Sequence, residues 1–138
     1  FYTNYNSSKG LHMKFNPNVS ATFFWPELEQ QIRITGTVVK LDTESSDIYF
    51  KSRPKGSQIA ACASNQSNLI DDRSVLENEV NRLEKLYKNK DIPRPDHWGG
   101  YLLSPSKIEF WQGRASRLHD RCLYELHSEG WKMNRLAP

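Results

Sequence analysis

The order in which side-chain periodicity changes along the chain constrains its fold more than any other feature. Residues 19–25 are rich in β-branched and aromatic side chains, and over residues 31–41 Ile32 and Ile34 alternate with Arg33 and Thr35. These runs predict strands over Val19–Trp25 and Gln31–Leu41, with Pro26 ending the first and Gly36 marking a bend in the second. Helical spacing follows. Asp42-Thr43 can cap a helix over Glu44–Ser52 that buries Ile48, Tyr49 and Phe50. Gln58–Ala63 reads as a short helix. Ser74-Val75-Leu76-Glu77 matches a capping box, ahead of Leu76, Val80, Leu83 and Tyr87 at helical spacing through Lys88. The C-terminal part returns to β. Tyr101–Leu103 and Ile108–Trp111 flank Pro105-Ser106, and Cys122–Leu126 and Trp131–Leu136 flank Ser128-Glu129-Gly130, so two hairpins are expected. At the N-terminus, Phe1–Thr3 reads as a strand end, Asn4–Lys9 as a turn and Leu11–Phe15 as a short helix before Asn16-Pro17. Strands, then helices, then strands predict an α+β domain on a mainly antiparallel sheet or barrel.

Composition narrows the function classes. The chain has 138 residues, a single-domain length whose halves would be too small for cores of their own. Only 37% of residues are hydrophobic, yet 12% are aromatic. Such a chain is expected to complete its burial with a partner subunit or a planar ligand. No apolar run approaches the roughly 20 residues of a membrane-spanning helix. A net charge of +3 is too small for a dedicated nucleic-acid binder, so neither membrane nor nucleic acid is an expected partner. Cys62 and Cys122 show no metal-ligand spacing. They read as reduced thiols, which points to an intracellular, cytoplasmic protein without a metal.

Two stretches carry the candidate chemistry. Arg117, His119 and Arg121 are spaced by two, so an extended backbone would project all three to one face, near Trp111. Three cationic groups in a row suit an anionic aromatic ligand, although the spacing fits a solvated basic strand equally well. Arg117 and Arg121 would lie roughly 13 Å apart along such a strand, too far to serve one small ring. The second stretch is Tyr49–Ser57. Arg53, Ser57 and the N–H groups of a new helix form a plausible phosphate cradle, with Tyr49 one turn before Arg53. An ordinary interhelix loop would look the same. Ser7, Ser8, Lys9, Gln31, Gln66 and Ser67 are weaker polar signals. Hydrolytic signatures of the G-x-S-x-G or H-E-x-x-H kind are absent.

Taken together, these stretches resemble the pyridoxamine 5′-phosphate oxidase family of flavin enzymes. The likeness runs through Phe1-Tyr2-Thr3-Asn4, Tyr49-Phe50-x-Ser52-Arg53-Pro54, Ser57-Gln58-Ile59, Gln66-Ser67, Trp98-Gly99-Gly100, Glu109-Phe110-Trp111-Gln112-Gly113, Arg117-Leu118-His119-Asp120-Arg121 and Arg135-Leu136-Ala137-Pro138. The resemblance implies an FMN-binding split β-barrel, present as one domain over residues 1–138 and working as a homodimer with FMN at the subunit interface. It implies FMN contacts from Tyr2, Thr3, Ser7, Lys9 and Gln31 of one subunit and from Gln66, Ser67, Trp111 and Arg121 of the other. Tyr49, Arg53 and Ser57 would hold the substrate phosphate, and Arg117 and His119 would reach over from the partner subunit to the pyridine ring as the catalytic pair. The implied reaction converts pyridoxine or pyridoxamine 5′-phosphate to pyridoxal 5′-phosphate, with dioxygen reduced to hydrogen peroxide. Three departures from the family pattern stand out. The upstream FMN-binding strand is not in the chain, Ser8 replaces the usual Arg beside Lys9, and Gln30 replaces an Arg before Gln31. They leave a second reading, a non-catalytic relative that binds pyridoxal 5′-phosphate but holds flavin poorly.

Overall fold

Alternating β-branched and aromatic side chains at both ends of the sequence meet in one antiparallel arrangement. The computed structural model describes Phe1–Pro138. The chain divides into two units, Asn16–Val38 with Leu103–Pro138, and Phe1–Phe15 with Val39–Leu102. The strands pair in the order β2 (Asn18–Trp25), β3 (Gln30–Lys40), β4 (Trp98–Gln112), β5 (Asp120–His127) and β6 (Gly130–Arg135), an open path whose residues 18–38 and 103–135 make up the sheet-rich unit. Thr22 faces Arg33 across β2–β3, Phe110 faces Cys122 across β4–β5, and Leu126 faces Trp131 across β5–β6. The β5–β6 hairpin expected around Ser128-Glu129-Gly130 is present. Gly130 supplies its turn with a φ of 114°, a conformation that side chains rarely adopt.

The other expected hairpin is not formed. Residues 101–111 belong to one continuous strand, β4, and Pro105-Ser106 lies inside it. Gly36 makes room for this passage. A Cβ at that position would sit 2.1 Å from the Ser104 carbonyl oxygen and 2.8 Å from Pro105 Cα. Pro105 lacks only the N–H that a ladder position would need, and the Ser106 hydroxyl donates to the Thr35 carbonyl at 3.2 Å.

The helical unit begins with β1 (Tyr2–Asn4), which pairs with Trp98–Gly100. Helix α1 (Ser8–Phe15) starts earlier than the periodicity predicts, because the Ser7 hydroxyl accepts the Gly10 N–H and so caps it. Asp42 caps α2 (Thr43–Ser52) as expected, accepting from the Ser45 N–H at 2.7 Å. Helix α3 spans Lys55–Ala63, three residues longer at its start than predicted. Helix α4 (Arg73–Leu86) is capped by Asp72 rather than by the expected Ser74 box. Phe50, Ile59, Leu83, Ile92 and Trp98 form the core of this unit. Of the three α2 residues expected inside, only Phe50 is buried; Ile48 is 64% exposed and Tyr49 is 42% exposed. Both cysteines are free, and no helix is long and apolar enough to cross a membrane.

The close passage at Gly36 makes a specific demand. Gly36→Ala is expected to lower unfolding stability by about 2 kcal/mol or more, since backbone must move to admit the methyl group. Urea denaturation of the two proteins checks this.

Candidate active site

In the helical unit the chemistry gathers where α2 ends. Pro54 cannot continue the helix, so Arg53 adopts an extended conformation as its C-cap and α3 starts at Lys55. Gln58 secures the junction by donating to the Arg53 carbonyl at 2.8 Å. The Arg53 guanidinium lies over the Trp98 ring, 4.5 Å from its centroid, and 5.8 Å from the Phe50 centroid. Its Nη1 is buried and has no hydrogen-bond partner. No carboxylate pairs with it. Its charge is felt instead by the Cys62 thiol, where burial raises the pKa and Arg53 opposes the rise. Tyr49 stacks on Tyr2 at 3.7 Å between centroids, and both rings lie parallel to Trp98. Ser57 stands in the first turn of α3, its N–H bonded to the Pro54 carbonyl. Tyr49, Arg53 and Ser57 therefore flank the α2–α3 junction, and the helix break falls where the sequence predicts it.

The remaining candidates in this unit play mixed parts. Thr3 and Ser7 are buried, and the Ser7 hydroxyl is committed to capping α1 and to the Asn4 carbonyl. Ser8 and Lys9 are exposed on the first turn of α1, with the Lys9 ammonium 5.8 Å from the Phe1 ring centroid. Gln66 and Ser67 line a cleft of about 660 Å³ with Asn68, Ile70, Leu76 and Arg82. Ser67 has a φ of 73°, a left-handed conformation uncommon outside glycine.

In the sheet-rich unit, Gln31 and Trp111 share a cleft of about 350 Å³ with Trp25, Phe110, Asp120 and Cys122. Flat apolar walls with amide edges suit a planar heteroaromatic ring. The expected common face of Arg117, His119 and Arg121 is not present. Ala115–Arg117 forms a 3-10 turn, with Ser116 at φ 56° and Arg117 at φ 61°. Consequently the 13 Å extended spacing does not apply, and Arg117 projects exposed from a strained turn. His119 packs against Trp111 at 4.7 Å and accepts the Arg114 backbone N–H on Nδ1 at 3.2 Å. That bond requires an unprotonated Nδ1 and leaves Nε2 to carry the ring proton. Arg121 starts β5 one residue in, donates from Nε to Glu109 at 2.7 Å, and donates from Nη1 to the Ala137 carbonyl at 3.0 Å.

Two residues here were not singled out by sequence. Glu109, 7% exposed, fixes Arg121 and also lies 3.9 Å from Arg33. The hydrogen bond from Arg121 holds its carboxyl below the usual carboxylate range, against the opposing effect of burial. Trp98 is the other, the surface on which Arg53 rests. Both lie inside quoted motifs, but only the register of β4 against its neighbours shows what they touch.

Comparison with known proteins bears on the fold and the family. A solved structure of PhzG from Burkholderia lata, in complex with tetrahydrophenazine-1-carboxylic acid, superposes on the whole chain with a TM-score of 0.93 at 33% identity, covering 67% of that protein. A pyridoxamine 5′-phosphate oxidase-related, FMN-binding protein from Nostoc punctiforme shares the fold with a TM-score of 0.76 at 15% identity. The class is thus that of the split-barrel proteins, mostly antiparallel and with the sheet not closed. Within it, residues 1–87 match the family model "Pyridoxamine 5′-phosphate oxidase", and residues 98–138 match "Pyridoxine 5′-phosphate oxidase C-terminal dimerisation region". Proteins named pyridoxine/pyridoxamine 5′-phosphate oxidase from Leptospira biflexa and Christiangramia forsetii are each 54% identical over 138 residues. The chain belongs to the pyridoxamine 5′-phosphate oxidase family. It spans 65% and 64% of the length of those two relatives.

The Glu109–Arg121 pair gives a pH signature. A carboxyl with a depressed folded pKa stabilises above its unfolded value of about 4.3 and loses that contribution as pH falls through the folded value. Glu109→Gln is expected to lower the unfolding midpoint by about 5 °C at pH 7, equivalent to one charged hydrogen bond. The gap to the unsubstituted protein should close below pH 4, as thermal unfolding across a pH series will show.

Proposed function

We propose that the chain is the catalytic part of an FMN-dependent oxidase that converts pyridoxine or pyridoxamine 5′-phosphate to pyridoxal 5′-phosphate. The alcohol and dioxygen would give the aldehyde and hydrogen peroxide; the amine would additionally consume water and release ammonia. The observation that carries this reading is the buried, unpaired Nη1 of Arg53, a charged donor that lacks a protein partner. A phosphate dianion supplies such a partner. Family membership gives the phosphate its most economical owner, a B6 vitamer.

The residues present also fit FMN. In the sheet-rich unit, the cleft that Gln31 and Trp111 of one chain share offers flat walls and amide groups that would suit the ring system, whereas the family reading draws the two residues from different subunits. Within the sheet-rich unit Arg121, braced by Glu109 and Ala137, would offer positive charge for its phosphate, and Lys9, exposed in the helical unit, would do so from the other subunit of the dimer. In the dimer reading Tyr2 and Thr3 would contact FMN from the same subunit as Lys9 and Gln31, Ser7 acting there only through the α1 start that it caps, and Gln66 and Ser67 from the same subunit as Trp111 and Arg121. When bound, FMN would supply a two-electron acceptor for the substrate carbon C4′, with dioxygen as the final oxidant. The chain's own residues do the positioning. Arg53, Tyr49 and Ser57 hold the phosphate, fixing the pyridine ring at a distance set by the ester arm. The partner subunit's Arg117 would close on the ring, its strained turn presenting the guanidinium outward. His119, with its proton on Nε2, donates a hydrogen bond to a ring substituent.

The same reading makes the two units parts of one domain that works as a homodimer. The match to a dimerisation region supports it, as do Phe24, Phe110, Trp131 and Met133, which are 44–56% exposed in a single chain. Ser8, exposed where the family usually has Arg, favours the second reading of weak flavin retention.

One experiment addresses both readings. Oxidase activity is measured with added FMN on the unsubstituted chain and on Arg53→Ala. The substitution should raise KM for pyridoxine 5′-phosphate about ten- to a hundredfold, the cost of a charged hydrogen bond. A folded chain that retains no flavin absorbance after incubation with excess FMN and removal of the unbound cofactor, and shows no oxidase activity, would overturn the oxidase reading in favour of the non-catalytic one.

A further inference from the structure

We propose that Trp98 is a positioning residue for the phosphate site: its indole face holds the Arg53 guanidinium in place without neutralising it. The inference rests on the reading of Arg53 as the phosphate-binding residue, and extends it to a residue that touches neither substrate nor cofactor. A carboxylate partner orients a guanidinium but offsets part of its charge, as Glu109 does for Arg121. Here the nearest fixed surface is aromatic. Arg53 Cζ lies 4.5 Å from the Trp98 centroid, well within cation–π range, and Nη1 remains buried and unpaired. The ring attracts the cation through its quadrupole and leaves the net charge and the N–H donors for an incoming anion.

Trp98 can do this because it is itself immobilised. It is 7% exposed and packs edge-on against Phe50 at 5.2 Å. Its neighbours Tyr2 and Tyr49 lie parallel to it at 5.7 and 6.2 Å. Its backbone is held as well. Trp98 pairs with Asn4 in the β1–β4 ladder, and its carbonyl accepts from Arg94 Nη1 at 2.6 Å. Arg94 is anchored in turn by Asp47 of α2, with Nε 2.6 Å from Oδ1. This contrast is informative within one small region. The structural arginine, Arg94, has its carboxylate, whereas Arg53 has the indole instead.

The test is equilibrium dialysis of the purified chain against pyridoxine 5′-phosphate and against pyridoxine, which differ only in the phosphate. Trp98→Leu should weaken binding of the phosphate ester about tenfold and change pyridoxine binding less than twofold. Trp98→Phe, which keeps an aromatic face, should recover part of the loss. In an Arg53→Ala background the Trp98 substitutions should have no further effect on the discrimination, a result that general loosening of the core would not give. Equal discrimination by Trp98→Phe, Trp98→Leu and the unsubstituted chain would overturn the proposal. So would undiminished Trp98 effects in the Arg53→Ala background. If Trp98→Leu fails to fold, Trp98→Phe and its combination with Arg53→Ala still decide. Failure of the unsubstituted chain to prefer the phosphate ester would instead remove the phosphate-site reading itself.

Discussion

A guanidinium drawn out of water and left without a carboxylate is the constraint around which the helical unit is arranged. Desolvating a cation is costly unless something compensates it. In this chain the compensation is aromatic, and the arrangement that supplies it reaches through the unit. Phe50 and Trp98 belong to the buried core, Tyr2 and Tyr49 extend the aromatic layer, and Arg94 with Asp47 ties the Trp98 backbone to α2. The break at Arg53-Pro54 follows from proline chemistry and puts the guanidinium at a helix junction. Core packing and ligand chemistry are therefore not separable here, because the residue that fills the core is also the one that supports the charge.

The sheet-rich unit solves a related problem differently. Arg121 has a carboxylate, Glu109, and the carbonyl of Ala137 as well. This gives the C-terminal Arg135-Leu136-Ala137-Pro138 segment a physical role. The Leu136 N–H bonds to the Arg121 carbonyl, so the chain end lies along β5 and clamps the arginine from its backbone and its side chain. A cation held this firmly keeps its remaining N–H groups in a fixed position, which is what the proposed role of Arg121 requires.

What the sequence discloses depends on whether the determining interaction is local. The β5–β6 hairpin is readable because Gly130 and the flanking alternation are adjacent in sequence. The Tyr49, Arg53 and Ser57 cluster is readable because a proline fixes the helix junction among them. Continuity of β4 is not readable, since Pro105-Ser106 is a turn signal whose meaning is reversed by Gly36, far away in the chain. The common face of Arg117, His119 and Arg121 fails because Ser116 and Arg117 take positive φ values that neither residue type announces. The roles of Glu109 and Trp98 depend on strand register, which no local pattern specifies. The resemblance to a known family supplied the ordered motifs; the structure supplied the partners of each side chain.

The central claim is that Arg53 is kept unpaired for an anion at some expense of stability. It is tested most directly by thermal unfolding of the chain and of Arg53→Met, each with and without pyridoxine 5′-phosphate. Methionine fills similar volume without a charge to desolvate, so the ligand-free variant should be at least as stable as the unsubstituted chain. The phosphate ester at a hundredfold over its dissociation constant should stabilise the unsubstituted chain by about 2.7 kcal/mol. At the same concentration it should stabilise Arg53→Met far less. A variant that is clearly less stable without ligand, yet gains as much from the phosphate ester, would contradict the account and make Arg53 a structural residue.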